Sequence, residues 1–408
     1  MNTEKHIHLL FVFLSVTTLF SCITTDKVTR TNYNQIVLDE KYTEPVNILL
    51  DDLVTYEIIP LETTEKSLLD KDYEVQHIDS SLIIITNDRR GEVFFFNRDG
   101  KFKNSFVCKG GGPGEIHNRI YGCFWDAQNK EIYINDGFAN RILVFNVQGK
   151  HMRTLSIEEE FFIGRHITDF DKNSFLIYDE KNMDTSDKYM MAQANPYPYV
   201  LLSKADGKKT GQLPFFIFKR LSSTFYRTIG SHFEMVSSSP AGIPFKKFGN
   251  ELIICDLGLD DIYKFSLKTN TAISLFSKVP KLQNQEFPKT VVELLDYNDK
   301  YVTFKRSVNY YDFDNKVPGE SDMFVYDQQK KSFYRAKFSH KDLGVRYAYM
   351  SRLNNPVLPK NMEYDVITAE DLLESYQKGE LKDSKLKEIA STMKEDDNDI
   401  LVLTLYNY

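Results

Sequence analysis

One strand-turn-strand unit recurs along this chain with a fixed layout. Residues 82–101 read LIIITNDRRGEVFFFNRDGK and residues 131–150 read EIYINDGFANRILVFNVQGK. A shift of 49 positions places Phe96 on Phe145, Asn97 on Asn146, Gly100 on Gly149 and Lys101 on Lys150. Residues 251–266, ELIICDLGLDDIYKFS, repeat the pattern, with Asp256 on Asp136, Ile262 on Ile142 and Phe265 on Phe145. A repeat in this spacing range, built of two strands joined by a polar turn, points to the blade of a β-propeller.

Further strands fall into groups of four between polar turns. Blade 1 is expected at Glu74–His77, Leu82–Thr86, Glu92–Asn97 and Lys101–Phe106, and blade 2 at Tyr121–Trp125, Glu131–Asn135, Arg141–Asn146 and His151–Leu155. Blade 3 opens at Ile167–Phe170 and Ser174–Tyr178, is interrupted by a polar insertion at roughly 180–197, and resumes at Tyr199–Ser203. Blade 4 includes Glu251–Cys255, Asp261–Ser266 and Thr271–Phe276. Blade 5 includes Val291–Leu295, Tyr301–Lys305, Asp322–Tyr326 and Ser332–Phe338, with a loop at roughly 307–320. Residues 368–394 read as helix, capped by Thr368 with Asp371 and broken at Gly379. Ile400–Tyr406 is a closing strand, and Val54–Leu61 is its expected partner, so that strands from both ends of the chain close the ring and remove its open edges. The expectation is an all-β, six-bladed propeller over 36–408, with a short C-terminal helical insertion before the closing strand; residues 345–365 give no clear pattern.

The N-terminus carries Lys5, then an apolar run from Leu9 to Phe20, then Ser21 and Cys22. This is the layout of an export signal, and the run is too short to span a bilayer as a helix. Leu19-Phe20-Ser21-Cys22 resembles a bacterial lipobox, which implies acylation of Cys22 and anchoring through acyl chains. Residues 1–21 are then the signal, and 22–35 read as a flexible tether. The expected location is the outer membrane, on its periplasmic or outer face, with lipid as the only membrane contact.

Thirty Phe and 24 Tyr against a single Trp suit strands. The formal charge of −7 without a basic block excludes a nucleic-acid partner. With Cys22 assigned to lipid, Cys108, Cys123 and Cys255 remain, read as buried thiols; Cys108 and Cys123 flank the glycine-rich turn closely enough to leave a pairing open.

Three sets of residues bear on function. Gly110-Gly111-Gly112-Pro113-Gly114-Glu115 lacks the Gly-Lys-Ser/Thr of a phosphate loop and reads as an inter-blade turn, its glycines supplying positive φ. Asn87-Asp88, Asn135-Asp136 and Asp256 end equivalent strands; they suit turns, and if they converged on the axis they could hold Ca²⁺. Arg165 and His166 lead into an inner strand, and Arg89 and Arg90 lie in a turn opening onto one face. Tyr189, Tyr197, Tyr199, Tyr310 and Tyr311 cluster at the two insertions, where exposed rings suit binding. The ligand-binding set is Arg89, Arg90, Asp136, Arg165, His166, Tyr197 and Tyr310.

The unit INDGFANRILVFNVQGK resembles the repeat of NHL-type propellers. Cys108-Lys109-Gly110-Gly111-Gly112-Pro113-Gly114-Glu115, the early Ile59-Pro60-Leu61-Glu62-Thr63 and the late DDNDILVL at 396–403 resemble the six-bladed β-propeller lipoproteins of Bacteroidota. The resemblance implies a six-bladed propeller on an envelope lipoprotein, often associated with glycan utilisation. The function expected is a non-catalytic binding or scaffold module for an envelope protein partner or glycan, monomeric and without a cofactor. No nucleophile elbow or zinc-protease helix is present. The alternative is a hydrolase or lyase acting on a glycan or lactone around the central channel, with Ca²⁺ as its candidate ion.

Overall fold

The computed structural model describes residues 28–29, 34–38, 45–49, 53–70, 72–181, 194–221, 224–237, 242–339 and 358–407. Cys22, Tyr189 and most of the 180–197 insertion lie outside these residues. The chain is a six-bladed β-propeller. Blades 1, 2, 3 and 5 are antiparallel four-stranded sheets starting at Tyr73, Gly122, Ile163 and Thr290, and blade 4 is a four-stranded meander from Phe245 to Val279. The innermost strand of blade 4, Phe245–Phe248, precedes the strands recognised in the sequence.

The middle strands of each blade are buried on both faces, because each blade is sandwiched between two neighbours. This is why they read as continuous apolar runs. In Leu82–Asn97, Ile83, Ile85, Phe94 and Phe96 pack toward blade 6, while Ile84, Val93 and Phe95 pack toward blade 2. Removing each such side chain from water contributes roughly 1.5–3 kcal/mol. The outer strands are thinner in apolar residues: in His151–Ser156 only Leu155 is buried.

Blade 6 joins the two ends of the chain. Ile400–Tyr406 pairs antiparallel with Val54–Pro60 on one side, Ile400 opposite Pro60 and Tyr406 opposite Val54, and with Met362–Ile367 on the other. The strand Met362–Ile367 lies in the stretch that gave no clear sequence pattern. Lys360 and Asn361 contact Asp299, in the turn between the first two strands of blade 5, so Met362–Ile367 corresponds to a second strand. Ile400–Tyr406 is then a third strand, like Asp261–Ser266 in blade 4, and Val54–Pro60 is the outermost. No innermost strand of blade 6 is among the described residues.

Ahead of Val54 the chain laces the outer rim. Val28–Thr29 and Asn34–Val37 pair in parallel with the outer strand of blade 4, and Val46–Leu49 pairs in parallel with Ala336–Ser339 beyond blade 5. Strand pairing therefore reaches into the segment read as a tether. The expected outer strand Ser332–Phe338 is two pieces, Ser332–Tyr334 on blade 5 and Ala336–Ser339 on the N-terminal segment.

The helical segment is two helices, α1 (Ala369–Gln377) and α2 (Ser384–Thr392). Thr368 accepts from the Asp371 N–H and Asp383 from that of Leu386, which caps both starts. Leu372, Leu386 and Ala390 bury their apolar stripe against Ile58, Ile400 and Val402 of blade 6.

The alternation of strand direction sorts every connection of the ring onto one of two faces. Turns between first and second strands and between third and outer strands share one face. Among the described residues they are two to five residues long, from 249–250 to 204–208. Among the connections whose two flanking strands are described, the opposite, loop face receives every long one: 61–72, 108–121, 180–198, 213–244, 280–289, 309–320 and 368–399.

Candidate functional site on the loop face

The loop face surrounds one mouth of the central channel. Arg165, near the start of the innermost strand of blade 3, reaches past blade 2 to Glu74 of blade 1, Nη1 to Oε1 3.0 Å, and its Nη2 lies 3.5 Å from Oδ2 of Asp88. The close approach depends on Gly122: a Cβ there would stand 2.6 Å from the Arg165 carbonyl oxygen. Arg119, at the end of the glycine-rich connection, also donates to Asp88, and its guanidinium lies 5.5 Å from the centre of the Tyr121 ring. Asp88 is thus held between two arginines.

Beside this group, Asp136 is buried and paired with Arg141 (Nε 3.0 Å, Nη2 2.9 Å), with His117 Nδ1 at 3.4 Å. Arg141 also donates to the carbonyls of Pro113 and Glu115, at 3.2 and 2.6 Å. One side chain therefore fastens the glycine-rich turn to blade 2. Within that turn Glu115 Oε2 accepts from the Gly112 N–H at 2.7 Å, and a Cβ on Gly110 would collide with the Glu115 carboxylate at 2.0 Å. None of Gly110, Gly111, Gly112 and Gly114 takes positive φ. Space for Glu115, rather than a left-handed backbone, explains the glycine at 110.

His166 is largely buried between Tyr178 and Phe245, with ring centres 6.2 and 6.4 Å away. Burial, helped by the Arg165 charge, pulls its pKa down to about 4. The Glu180 carboxylate is 3.9 Å off, too far for a hydrogen bond, so burial prevails. Tyr178 donates to Asp256, and its phenol is pushed well up by burial and by that carboxylate. Arg220 caps the group at 4.6 Å from the Tyr178 ring centre and donates to the carbonyls of Asp179 and Asn195.

Asp88, Asp136 and Asp256 each have a separate partner. Among the described residues, no group of three His, Cys, Asp or Glu side chains is placed to hold a metal ion. Cys108, Cys123 and Cys255 are free and buried, and burial pushes the Cys108 and Cys255 thiols up to about 12.

Of the residues singled out in the sequence, Arg165 and His166 lie adjacent at the channel mouth and Asp136 beside it. Arg89 is exposed, 3.7 Å from Asp72, and Arg90 pairs with Asp70 and Glu92 toward the seam with blade 6. Tyr197 lies edge-on to Phe216 at 5.4 Å, and Tyr310 edge-on to Phe287 at 6.3 Å. Tyr199, grouped with the surface rings, is fully buried and donates to the Pro244 carbonyl. It is a core residue because its strand lies in the middle of blade 3. Asp88, read in the sequence as the end of a second strand, also lies at the mouth, and Glu74, Arg119, Arg141 and Arg220 completed the site. Of these four only Arg141 had a sequence signal, its position in the repeat at the start of a third strand.

Large apolar side chains also stand exposed on this face. Phe218 is 84% exposed and Phe287 79%, with Phe216 and Tyr310 beside them. The hairpin Thr224–Ser237, not foreseen in the sequence, turns Phe225 toward Tyr311 and joins Arg227 to Asp314. It thereby ties the 213–244 connection to the 309–320 loop.

The fold and this face define a β-propeller with an elaborated loop face. The chain belongs to the family described as Domain of unknown function (DUF4934), whose model matches residues 33–404. A solved structure from Bacteroides fragilis, named as a candidate exported protein, shares 14% identity over 92% of this chain and 100% of its own, with a TM-score of 0.61. A DUF4221-family member from Bacteroides vulgatus shares 12% over 87% and 97% of the two chains, TM-score 0.46. Virginiamycin B lyase from Staphylococcus aureus shares 10% over 86% and 99%, TM-score 0.36. The first likeness establishes the fold, and the other two are too distant to carry an argument. No curated protein matches the sequence.

Proposed function

We propose that the protein is an exported, lipid-anchored propeller that works as a non-catalytic binding module in the cell envelope, capturing a protein partner or glycan on its loop face. One observation carries this reading: every long connection between described strands of the ring opens onto that face, together with exposed rings at Phe218, Phe287 and Tyr310. Loops on a rigid scaffold are where binding residues concentrate, and amphipathic aromatic rings suit both protein and sugar surfaces. The charged groups at the channel mouth are paired with one another, which suits a shaped surface. Export is supported by the signal-like N-terminus and by the name of the B. fragilis neighbour. No helix among the described residues is long and apolar enough to cross a membrane. Lipid attachment at Cys22 follows from the lipobox.

The 309–320 loop is closed at its base by hydrogen bonds from Val308 N–H to Glu320 O and from Gly319 N–H to Tyr310 O, both 2.8 Å. It can therefore be replaced by a tight turn without opening blade 5. Capture of partners from envelope extracts and of oligosaccharides is expected to fall at least tenfold in that variant, with the thermal midpoint little changed. Undiminished capture would contradict the reading.

A further inference from the structure

A second surface on the loop face lies away from the channel, at the seam between blades 6 and 1. There the 61–72 connection, the start of α1 and the run Glu395–Asp399 enclose a cleft of about 860 Å³. Eight carboxylates and two cations, Lys66 and Arg90, line it. The cleft is thus six charges negative, against seven for the whole chain. Arg90 is spent internally, 3.1 Å from Asp70 and 3.4 Å from Glu92. Crowding shows at Glu92, whose carboxyl is pushed up by burial, with Asp70 adding to the effect against Arg90. Glu65, Glu370, Glu395 and Asp396 stand exposed around the rim.

Apolar side chains stand among these charges. Leu68 is 54% and Val107 63% exposed, and Phe94 and Phe106 also line the cleft. Exposed apolar side chains inside a concave, like-charged rim mark an interaction site. The carboxylates are spread along the cleft; among the described residues no three converge as metal ligands. Carboxylates spread among exposed apolar side chains are complementary to an extended cation with apolar groups at intervals.

We propose that this cleft docks a basic peptide segment, one in which lysine or arginine alternates with apolar residues, supplied by a partner protein. In an extended chain successive side chains point to opposite sides. Apolar residues then cover Leu68 and Val107 while the alternate cations reach the rim. The negative potential steers such a segment and makes its capture salt-dependent.

The test uses the full chain and a fluorescein-labelled peptide of alternating lysine and leucine, followed by anisotropy. Saturable binding is expected, weakened about tenfold by the triple change Glu370→Gln, Glu395→Gln and Asp396→Asn, since each exposed pair is worth up to about a fivefold effect. The control Glu158→Gln, Glu159→Gln and Glu160→Gln makes the same charge change on exposed residues of the same face, between blades 2 and 3. It is expected to change affinity by less than about twofold. Leu68→Ser, which leaves the charge alone, is expected to weaken binding about threefold. Equal weakening by the two triple variants would mean diffuse attraction and overturn the proposal. So would unaltered binding in Leu68→Ser, or displacement of the peptide by spermidine or Ca²⁺ at matched ionic strength, which would mean a cation site only. Absence of saturable binding by the wild-type chain would overturn it directly.

Discussion

Arg165 and Glu74 are 91 residues apart in sequence and 3.0 Å apart across the mouth of the channel, on blades 3 and 1. The bond passes over the innermost strand of blade 2 and makes the three blades one unit on the side where the loops gather. Asp88 joins the same guanidinium from blade 1, so the contact is a small network rather than a pair.

Removing that guanidinium takes the cation from Glu74 and leaves Asp88 with Arg119 alone. Arg165 is about a third exposed, so solvent screens the loss. Arg165→Met is expected to lower stability by about 1–2 kcal/mol in urea unfolding. The double change Arg165→Met with Glu74→Gln should recover part of it. No recovery would show that the two side chains are not coupled.

The buried charges on the opposite, turn face carry a larger cost. Lys204 Nζ lies 2.7 Å from Asp126 Oδ2 and also pairs with Asp169, which Lys247 contacts at 3.2 Å. Burial opposes the Asp126 charge, yet the Lys204 bond and charge together with the two Asn129 bonds outweigh it and hold that carboxyl below its ordinary pKa. Lys204→Met takes the counter-charge from Asp126, whose side chain is 2% exposed, and leaves it only the uncharged donors of Gln128 and Asn129, so it is expected to cost about 3 kcal/mol. A loss under about 1 kcal/mol by chemical denaturation would mean that water replaces the lysine.

His166 sets a pH dependence. Its folded pKa is about 4 against 6.5 when exposed. Between these values the unfolded chain binds a proton that the folded chain refuses, so stability from this group is complete above pH 6.5 and falls as pH drops toward 4. The loss amounts to about 3 kcal/mol at most. Urea midpoints of the wild type should therefore fall more steeply from pH 7 to 4.5 than those of His166→Gln. Parallel curves would place the histidine in contact with water.

Closure of the ring is testable through its core. Leu403 is fully buried between blades 6 and 1. Leu403→Ala is expected to cost about 2–5 kcal/mol, and a chain lacking residues 1–60, which takes away the outermost strand of blade 6, should not fold to a soluble monomer. Recovery of that shortened chain with an unchanged thermal midpoint would show that the pairing of both ends is dispensable.

Much of the ring was legible because middle strands buried on both faces leave long apolar runs, and because turn residues recur at equivalent points. The apolar run Ile400–Tyr406 was legible as a closing strand with Val54–Leu61 as its partner, and the pairing bears this out. The rim pairing of Asn34–Val37 with Phe276–Val279 was not legible: it joins strands more than 200 residues apart, in parallel, and leaves no local period. Met362–Ile367 buries only Tyr364 and Ile367, three residues apart, and so lacks the period of two that marks a strand. At the site, Arg165 and His166 were found from their position at an inner strand, and Asp136 from its recurrent place at the end of a second strand. Glu74 and Arg119 were missed because only the curvature of the ring brings blades 1, 2 and 3 to one point. Tyr199 was misjudged because sequence proximity to an insertion says little about burial when the next residues are a middle strand.

The most direct test is photo-crosslinking in intact cells, with a benzophenone amino acid placed singly at Phe218 or Phe287 on the loop face and at Gln148 or Lys172 on the turn face, all four exposed. Discrete adducts are expected from Phe218 and Phe287 and none from Gln148 or Lys172. Adducts from the turn face alone, or the same adducts from both faces, would contradict capture on the loop face.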